Sequence, residues 1–583
     1  MVGPAARSSA ILALLLGVLL LSQATAPPAT PAGAGAAYIV QAASAADAER
    51  AVRMAGGIVG RRLAIIGGVS AVLPPTALAR LRVNPALRLH PDAPVRAALG
   101  QLNSPPTEHE NDTAGYLLYP SAAVGAAPLH QVALATRTDT CSGQQLVPGG
   151  GTAQLPLQGW GVTVAVIDSG FMRLQNRQGT QSGWDFYDAT TGTLYVEGDA
   201  AGGISRCILY RDFLPRSDAN ENTGPQNGRN STDQNGHGTH VISSIADNRA
   251  VALSAALSGP AGVAPKVNLV IARALDAAGA GSYAGVIDAI QWVLENRARY
   301  NIRVLNLSIY AQPYGPYWAD PLNEAVMRAW QAGLVVVTAA GNSGPEPGTI
   351  TAPGNVPYVI SVGAVRSGRY SASGADELAP YSSRGPTESG FVKPDVVVPA
   401  SRTIAPVPDD STSALAIPEA RIQEKANVDF AIGAPDKQHT YYQLSGTSMA
   451  AAQVTGIVAL MLQANPGMTN EQVKYRLLAT ARAALDESGR PLYSVWEQGA
   501  GMVDARQAVL CDASPAEACA PGVANAGMDI GLDLDTETHY WGYTEWADPP
   551  GEFQLVDPDG QVLQVWNGAG RIWAGAGRIW AGA

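Results

Sequence analysis

Five stretches of the chain, residues 162–167, 267–272, 304–307, 334–339 and 359–365, are apolar almost without interruption. A strand with one wet face alternates apolar and polar side chains, so unbroken runs predict strands covered on both faces. Helical patterns separate several of them. Residues 282–296 carry Val286, Ile287, Ile290 and Leu294 at helical spacing, and residues 321–332 have Pro321 at the start and Gly333 just past the end, where each residue suits a helix. The alternation predicts an α/β fold, a doubly wound and mainly parallel sheet flanked by helices. Residues 448–462 form a helical stretch with almost no polar face, which places that helix in the middle of its domain.

A smaller pattern precedes this one. Residues 38–40 read as a strand and residues 44–54 as a helix, with Ser44 as N-cap and Gly56-Gly57 as its stop. An apolar stretch to Leu73 is split at Gly67-Gly68, a second helix follows Pro74-Pro75, and residues 87–90 close the set as a last strand. The order βαββαβ is ferredoxin-like. Residues 101–155, rich in Pro, Gly, Ser and Thr, lack a period and read as a linker or N-terminal extension. Beyond Asp504 acidic residues, aromatics and short alternations predict a small β-rich tail. It ends in a repeat, Gly570-Arg571-Ile572-Trp573-Ala574 and Gly577-Arg578-Ile579-Trp580-Ala581. Interior glycine costs about 1 kcal/mol of helix stability, so the seven-residue period is not a coiled coil. The Trp-Gly repeat is a candidate for cell-surface association, and equally a low-complexity end.

Charge narrows the partners. The 583-residue chain carries 38 Lys and Arg against 49 Asp and Glu, net −11, which disfavours nucleic acid and anionic membrane surfaces. Residues 1–100 hold nine Arg and three acids, whereas the remainder is net −17; a small basic domain precedes a large acidic one, and the two should attract. No run reaches the roughly 18 apolar residues of a transmembrane span. Residues 11–21, behind Arg7 and ahead of Ser22-Gln23-Ala24, instead read as a secretory signal over 1–24, and predict a secreted protein, extracellular or at the cell surface. In an exported chain the four cysteines favour disulfides, Cys511–Cys519 and Cys141–Cys207, with two buried thiols as the other reading.

Three segments carry chemistry. Asp168 follows the run 162–167 directly, at the end of a predicted parallel strand, where sites form in open α/β sheets. His237 lies between two glycines in Asn235-Gly236-His237-Gly238-Thr239-His240-Val241, with His240 as a competitor for its role. Ser448, in Leu444-Ser445-Gly446-Thr447-Ser448-Met449-Ala450, opens the apolar helix, as an N-cap or as a nucleophile. A serine hydroxyl attacks at neutral pH only when a base takes its proton and a carboxylate orients that base. Asp168, His237 and Ser448 supply those roles.

In the order Asp, His, Ser, these motifs resemble the subtilases, the subtilisin-like serine peptidases. The supporting matches run from about Gly161 to Asp504, and the resemblance selects His237 over His240. It implies a serine endopeptidase acting on polypeptide substrates through an acyl-enzyme, with no cofactor required for catalysis and structural calcium as an option; the metal site itself is unknown. Asn342, in Ala339-Ala340-Gly341-Asn342-Ser343-Gly344, resembles the family's oxyanion-hole Asn, with the Ser448 N–H as second donor. Gly279-Ala280-Gly281 and Ser308-Ile309-Tyr310 look like the two strands that hold an extended substrate. The first pocket would lie between Ser308-Ile309 and Ala339-Ala340-Gly341 with Thr351 near its base, and having no carboxylate it should favour apolar or aromatic side chains. Tyr310 stands where the family has Gly, and Ala452 where it has Pro.

The resemblance also sets the expected layout: signal 1–24, inhibitory propeptide 25–100 acting as the enzyme's own partner, extension 101–155, peptidase domain 156–509, and acidic C-terminal segment with repeat 510–583. The stretches between Asp168 and His237, with Asp218, Asn220, Asn222 and Asp233 as oxygen-rich candidates for calcium, and between 409 and 437 should be surface loops. The other reading is a surface adhesion protein on an inactive peptidase scaffold. A lipase would need Gly-x-Ser-x-Gly, which the sequence lacks.

Overall fold

The computed structural model describes residues 35–98, 119–142, 145–171, 187–188, 195–198, 205–215, 233–248, 250–254, 257–368, 375–408, 411–416, 439–489, 491–542, 544–547 and 552–555. Its contacts divide the chain into two compact units, Met1–Arg62 with Gly67–Pro91, and Leu63–Ile66 with Asp92–Ala583.

The first unit follows β1 (Ala36–Gln41), α1 (Ala45–Ala55), β2 (Ile58–Leu63), β3 (Gly68–Leu73), α2 (Pro75–Arg82) and β4 (Arg88–Pro91). The sheet order β2-β3-β1-β4, with β3 and β4 antiparallel to β1, is ferredoxin-like. Ser44 caps α1 by accepting from the Asp47 N–H, and Gly56 ends it at φ 89°. Val40, Val52, Val69, Leu73, Ala77 and Leu81 make the core.

The second unit holds β5 (Pro94–Ala97), a hairpin of β6 (Ala133–Ser142) and β7 (Gln145–Pro156), then β8 (Thr163–Asp168), β9 (Ser205–Asp212), α3 (His237–Ala246), β10 (Asn268–Arg273), β11 (Ala280–Ser282), α4 (Tyr283–Asn296), β12 (Ile302–Leu307), β13 (Ile309–Tyr310), α5 (Pro321–Gln331), β14 (Val335–Ala339), β15 (Ile360–Arg366), β16 (Val396–Pro399) and α6 (Thr447–Ala464). The main sheet runs β9-β10-β8-β12-β14-β15-β16, every neighbour parallel. Short antiparallel strands, Tyr195–Gly198 and Glu377–Leu378, are added beside β9 and β15. Every residue of β8 and β10 is buried, as unbroken apolar runs require. After β8 the chain first builds to one side, with β9 and β10, and then to the other, with β12, β14 and β15. The winding therefore reverses between β8 and β12, and a crevice opens at their C-terminal ends. Helix α6 is long and apolar enough to cross a membrane, but 94% of it is buried inside the protein; it is the core helix.

Three expectations change. The segment 101–155 is not all linker: β6 and β7 pair along most of their length, a hairpin whose alternation is diluted by Thr and Gly. The stretch between Asp168 and His237 is not all surface loop. β9 belongs to the main sheet with Ile208, Leu209 and Tyr210 buried. Only four apolar residues precede Arg211, too short a run to stand out; that guanidinium lies over the Phe213 and Trp292 rings at 5.2 and 5.1 Å. The tail is helical before it is β: Ala505–Leu510, Ala516–Cys519 and Ile530–Asp535 precede a hairpin of Thr544–Ala547 with Glu552–Leu555. Asp504 and Asp529 cap the first and third of these helices, and the caps outweigh the local alternation. Cys511 and Cys519 form a disulfide. Cys207 is also disulfide-bonded; the side chain of Cys141, the signal segment, the Trp-Gly repeat and most of 409–437 lie outside the described residues.

Asp533 ties the C-terminal segment to the core. Its buried carboxylate accepts from the Tyr317 hydroxyl at 2.8 Å and from the Tyr358 hydroxyl. Burial first, and that carboxylate second, push both phenols well above their ordinary pKa. Tyr283, beside Asp320, and Tyr381 are raised too, again chiefly by burial. The unfolded chain releases these protons near pH 10 while the folded protein keeps them, so the unfolded state binds fewer protons and stability falls as pH rises through that value. Each raised phenol adds to this slope, most strongly once the pH exceeds the unfolded-state value. Urea unfolding of the inhibited protein between pH 9 and 11 should show this decline, less steep in Tyr358→Phe. A flat profile would contradict it.

Candidate active site

Asp168 is the last residue of β8, His237 the first of α3, and Ser448 the second of α6. The fold brings Asp168 and His237 together. Asp168 Oδ1 accepts from His237 Nδ1 at 2.7 Å and from the Ser169 N–H at 2.7 Å. Because a carboxylate only accepts, Nδ1 carries a proton, which in the neutral ring leaves the lone pair on Nε2. Nε2 is buried and has no hydrogen-bond partner among the described residues. The Ser448 hydroxyl does not cap its helix; it donates to the Ala98 carbonyl at 2.7 Å and to the Ser308 carbonyl at 3.1 Å. It therefore faces a peptide carbonyl and not the imidazole in this rotamer.

Geometry also separates the two histidines. His240 is fully buried, its Nε2 pairs with the Thr403 carbonyl at 3.1 Å, and burial lowers its pKa to about 3. A ring paired with a main-chain carbonyl lacks the carboxylate that would balance an imidazolium.

The segment before His237 is clamped by Asp233, a residue that sequence reasoning placed among calcium candidates. Its Oδ1 accepts from Ser169 Oγ and the Gly236 N–H, both at 2.8 Å, and its Oδ2 from the Thr239 N–H and Oγ1, at 2.7 and 2.6 Å. Hydroxyls and amides of the protein itself fill both oxygens. Among the described residues no three His, Cys, Asp or Glu side chains converge as metal ligands; Asp218, Asn220 and Asn222 lie outside them. Ser169 Oγ in turn accepts from the Gly238 N–H at 2.8 Å. A Cβ on Gly238 would lie 2.3 Å from the Gly170 carbonyl oxygen, so the α3 start can press against the end of β8 only with glycine there. The signal in the sequence is faint, an acid four residues before the His of a Gly-His-Gly.

Asn342 follows β14. Its Oδ1 accepts from the Thr447 N–H and Oγ1 at 3.0 and 3.1 Å, which turns its Nδ2 toward the Ala98 carbonyl oxygen at 2.7 Å. Thr447 also accepts from the Gly341 N–H at 3.2 Å; its orienting role was not read from the sequence. The Ser448 N–H, expected as a second donor, makes no hydrogen bond to that oxygen, although the α6 N-terminus still directs its positive dipole end there.

The carbonyl belongs to an extended segment lying between the two expected edges. β5 pairs antiparallel with β11, Ala280 opposite Arg96 and Gly281 opposite Val95, and with β13, Ile309 opposite Ala97 and Tyr310 opposite Arg96. The Ala97 N–H donates to the Gly279 carbonyl at 2.9 Å and the Ala98 N–H to that of Ser308 at 3.3 Å. Ala339 and Ala340 are buried, with Thr351 bonded back to Ala340 through its N–H at 3.1 Å and its hydroxyl at 3.3 Å. Ala98, the residue that fills the site, had not been singled out.

Comparison with known proteins agrees with this geometry. The sequence profile of the subtilase family, peptidase family S8, matches residues 159–502, more than half of the chain. Serine protease AprX of Bacillus subtilis is 33% identical over 381 residues, covering 64% of this chain and 71% of that protein. Subtilisin DY of Bacillus licheniformis is 33% identical over 254 residues, 43% of this chain and 72% of that one. The solved structure of fervidolysin from Fervidobacterium pennivorans, described as a keratinolytic enzyme related to subtilisin, superposes with a TM-score of 0.52 at 20% identity over 83% of this chain and 62% of its own, which speaks for the fold. The chain belongs to the subtilase family and is a serine endopeptidase.

Proposed function

We propose that the endopeptidase works through Asp168, His237 and Ser448, and that its first substrate is its own chain at the Ala98–Leu99 bond. The observation that carries this reading is the Ala98 carbonyl oxygen, held at 2.7 Å by both Ser448 Oγ and Asn342 Nδ2. The reaction begins when Ser448 rotates its Oγ–H toward His237 Nε2. Oγ bonds to the Ala98 carbonyl carbon, its proton passes to Nε2, and the carbonyl electrons move onto oxygen, where Asn342 Nδ2–H stabilises them. Asp168 holds the ring and balances the imidazolium. Collapse breaks the C–N bond, the imidazolium gives its proton to the departing Leu99 amine, and Ala98 stays esterified to Ser448. Water, deprotonated by His237, then attacks the ester and frees the Ala98 carboxylate and the serine.

Residues 25–98 would thus be a propeptide. Export is part of the proposal, supported by the apolar stretch 11–21 behind Arg7 and by the Cys511–Cys519 disulfide. The inactive-adhesin reading is weakened by a donor and a hydroxyl both aimed at a substrate-like carbonyl. Purified precursor, sampled by mass spectrometry as it matures, should release an N-terminal fragment ending at Ala98. A first cut elsewhere would sink the assignment of this bond.

A further inference from the structure

Asp233 takes no part in the proton transfers above, yet its side chain is fully buried and its bonds reach both sides of the Asp168–His237 pair. Together with Ser169 it closes a ring. Asp168 Oδ1 accepts from His237 Nδ1 and from the Ser169 N–H, both at 2.7 Å. Ser169 Oγ donates to Asp233 Oδ1, and that same oxygen accepts from the Gly236 N–H, both at 2.8 Å. Gly236 leads directly into His237. A strut crosses the ring from the Gly238 N–H to Ser169 Oγ at 2.8 Å. His237 is therefore tied, through the residue on each side of it, to the residue next to Asp168.

The ring requires a carboxylate at 233. Gly236 is the N-cap of α3 and has no side chain to cap with, so the orphan N–H of Thr239 in the first helical turn takes its acceptor from Asp233 Oδ2, at 2.7 Å. Oδ1 serves the Gly236 N–H. Neither main-chain donor can turn away, so both oxygens must accept. An amide side chain has one acceptor oxygen, and either way round its NH2 would face one of these N–H groups, donor against donor. The negative charge also suits the positive dipole end of α3.

We infer that Asp233 is a positioning residue for this reaction: its carboxylate locks the start of α3 to the end of β8 and so holds the His237 ring against Asp168 through each proton transfer. The inference rests on the triad reading above. A misplacement of about 1 Å in a reacting group costs up to about 10²-fold in rate. The substrate strand is held instead by main-chain pairing with β11 and β13, so the loss falls on kcat and hardly on KM.

The test is Asp233→Asn. Ser169→Ala, which removes the link between the two halves and keeps the Gly236 and Thr239 bonds to Asp233, serves where the asparagine protein folds poorly. In folded full-length chain, checked by circular dichroism, self-cleavage should slow by about 10–100-fold in Asp233→Asn and by a smaller factor in Ser169→Ala. On the matured enzymes kcat for a peptide should fall by the same factors with KM nearly unchanged. The His237 Nδ1 proton, far downfield in the ¹H NMR spectrum because it lies in a short bond to a carboxylate, should move upfield in both variants; a loss of stability alone would not move it. Wild-type rates in the folded variants overturn the positioning role and leave the triad standing. A slower cut with the Nδ1 proton unmoved, or a loss confined to KM, overturns it equally. Wild-type chain that neither cuts itself nor labels at Ser448 with a fluorophosphonate overturns the catalytic reading, and this inference with it.

Discussion

Replacing Ser448 by alanine leaves the full-length chain uncut at Ala98–Leu99 and abolishes labelling by a fluorophosphonate. The expected loss of turnover is about 10⁶-fold, the size found when the corresponding serine of subtilisin is removed. The argument starts from geometry. Ser448 Oγ lies 2.7 Å from the Ala98 carbonyl oxygen, at the N-terminal end of a buried helix that cannot shift without disturbing the core. Among the described residues His237 Nε2 has no other partner, so none of them competes for it when the hydroxyl turns. Alanine removes the hydroxyl and its bonds to Ala98 and Ser308 but leaves the packing of α6, and the variant should fold as a precursor with a normal circular dichroism spectrum. Processing at the normal rate in a folded Ser448→Ala protein would show that another group performs the cut. Loss of processing with loss of fold would be resolved by Ser448→Thr, which keeps a hydroxyl at the cost of one methyl.

What could be read in the sequence follows from what a local pattern encodes. The strands that bury both faces announce themselves by unbroken apolar runs, and the apolar helix after Ser448 has no polar face to confuse it. Asp168 stood out because it ends such a run, and Ser448 because it opens such a helix. The distinction between His237 and His240 is not local. Both follow a glycine or a threonine on the same helix, and only the tertiary fold puts a carboxylate against one and the Thr403 carbonyl against the other. β9 escaped notice for a different reason: its neighbours in the sheet, and not its own four apolar residues, supply most of its burial. Asp233 sits in an Asp- and Asn-rich stretch whose oxygens suit a cation, but the structure turns it inward onto four donors. The strand 94–97 is too short and too plain in composition to stand out, and its significance comes entirely from the two edges it joins.

Replacing Asn342 by leucine, which keeps the side-chain volume and removes the amide, slows the chemical step by about 10²–10³-fold, the cost of about 2.7–4 kcal/mol known for one such donor. The amide cannot flip to escape the reading: Oδ1 is held by two donors from Thr447, so Nδ2 is the end that meets the carbonyl. In the ground state a neutral carbonyl exchanges that bond for one with water at little net gain, whereas the developing oxyanion carries charge that only preorganised donors can meet in a closed site. The Ala98–Leu99 cut isolates this effect, because both reactants belong to one chain and its first-order rate contains no KM. That rate should fall by the same factor as kcat on added peptides, with KM nearly unchanged. Asn342→Asp, which keeps the shape but replaces the donor by a negative oxygen beside the developing one, should fall at least as far. A cut at the unaltered rate in Asn342→Leu, alongside weaker peptide binding, would make Asn342 a holder of substrate and leave the oxyanion to the α6 N-terminus alone.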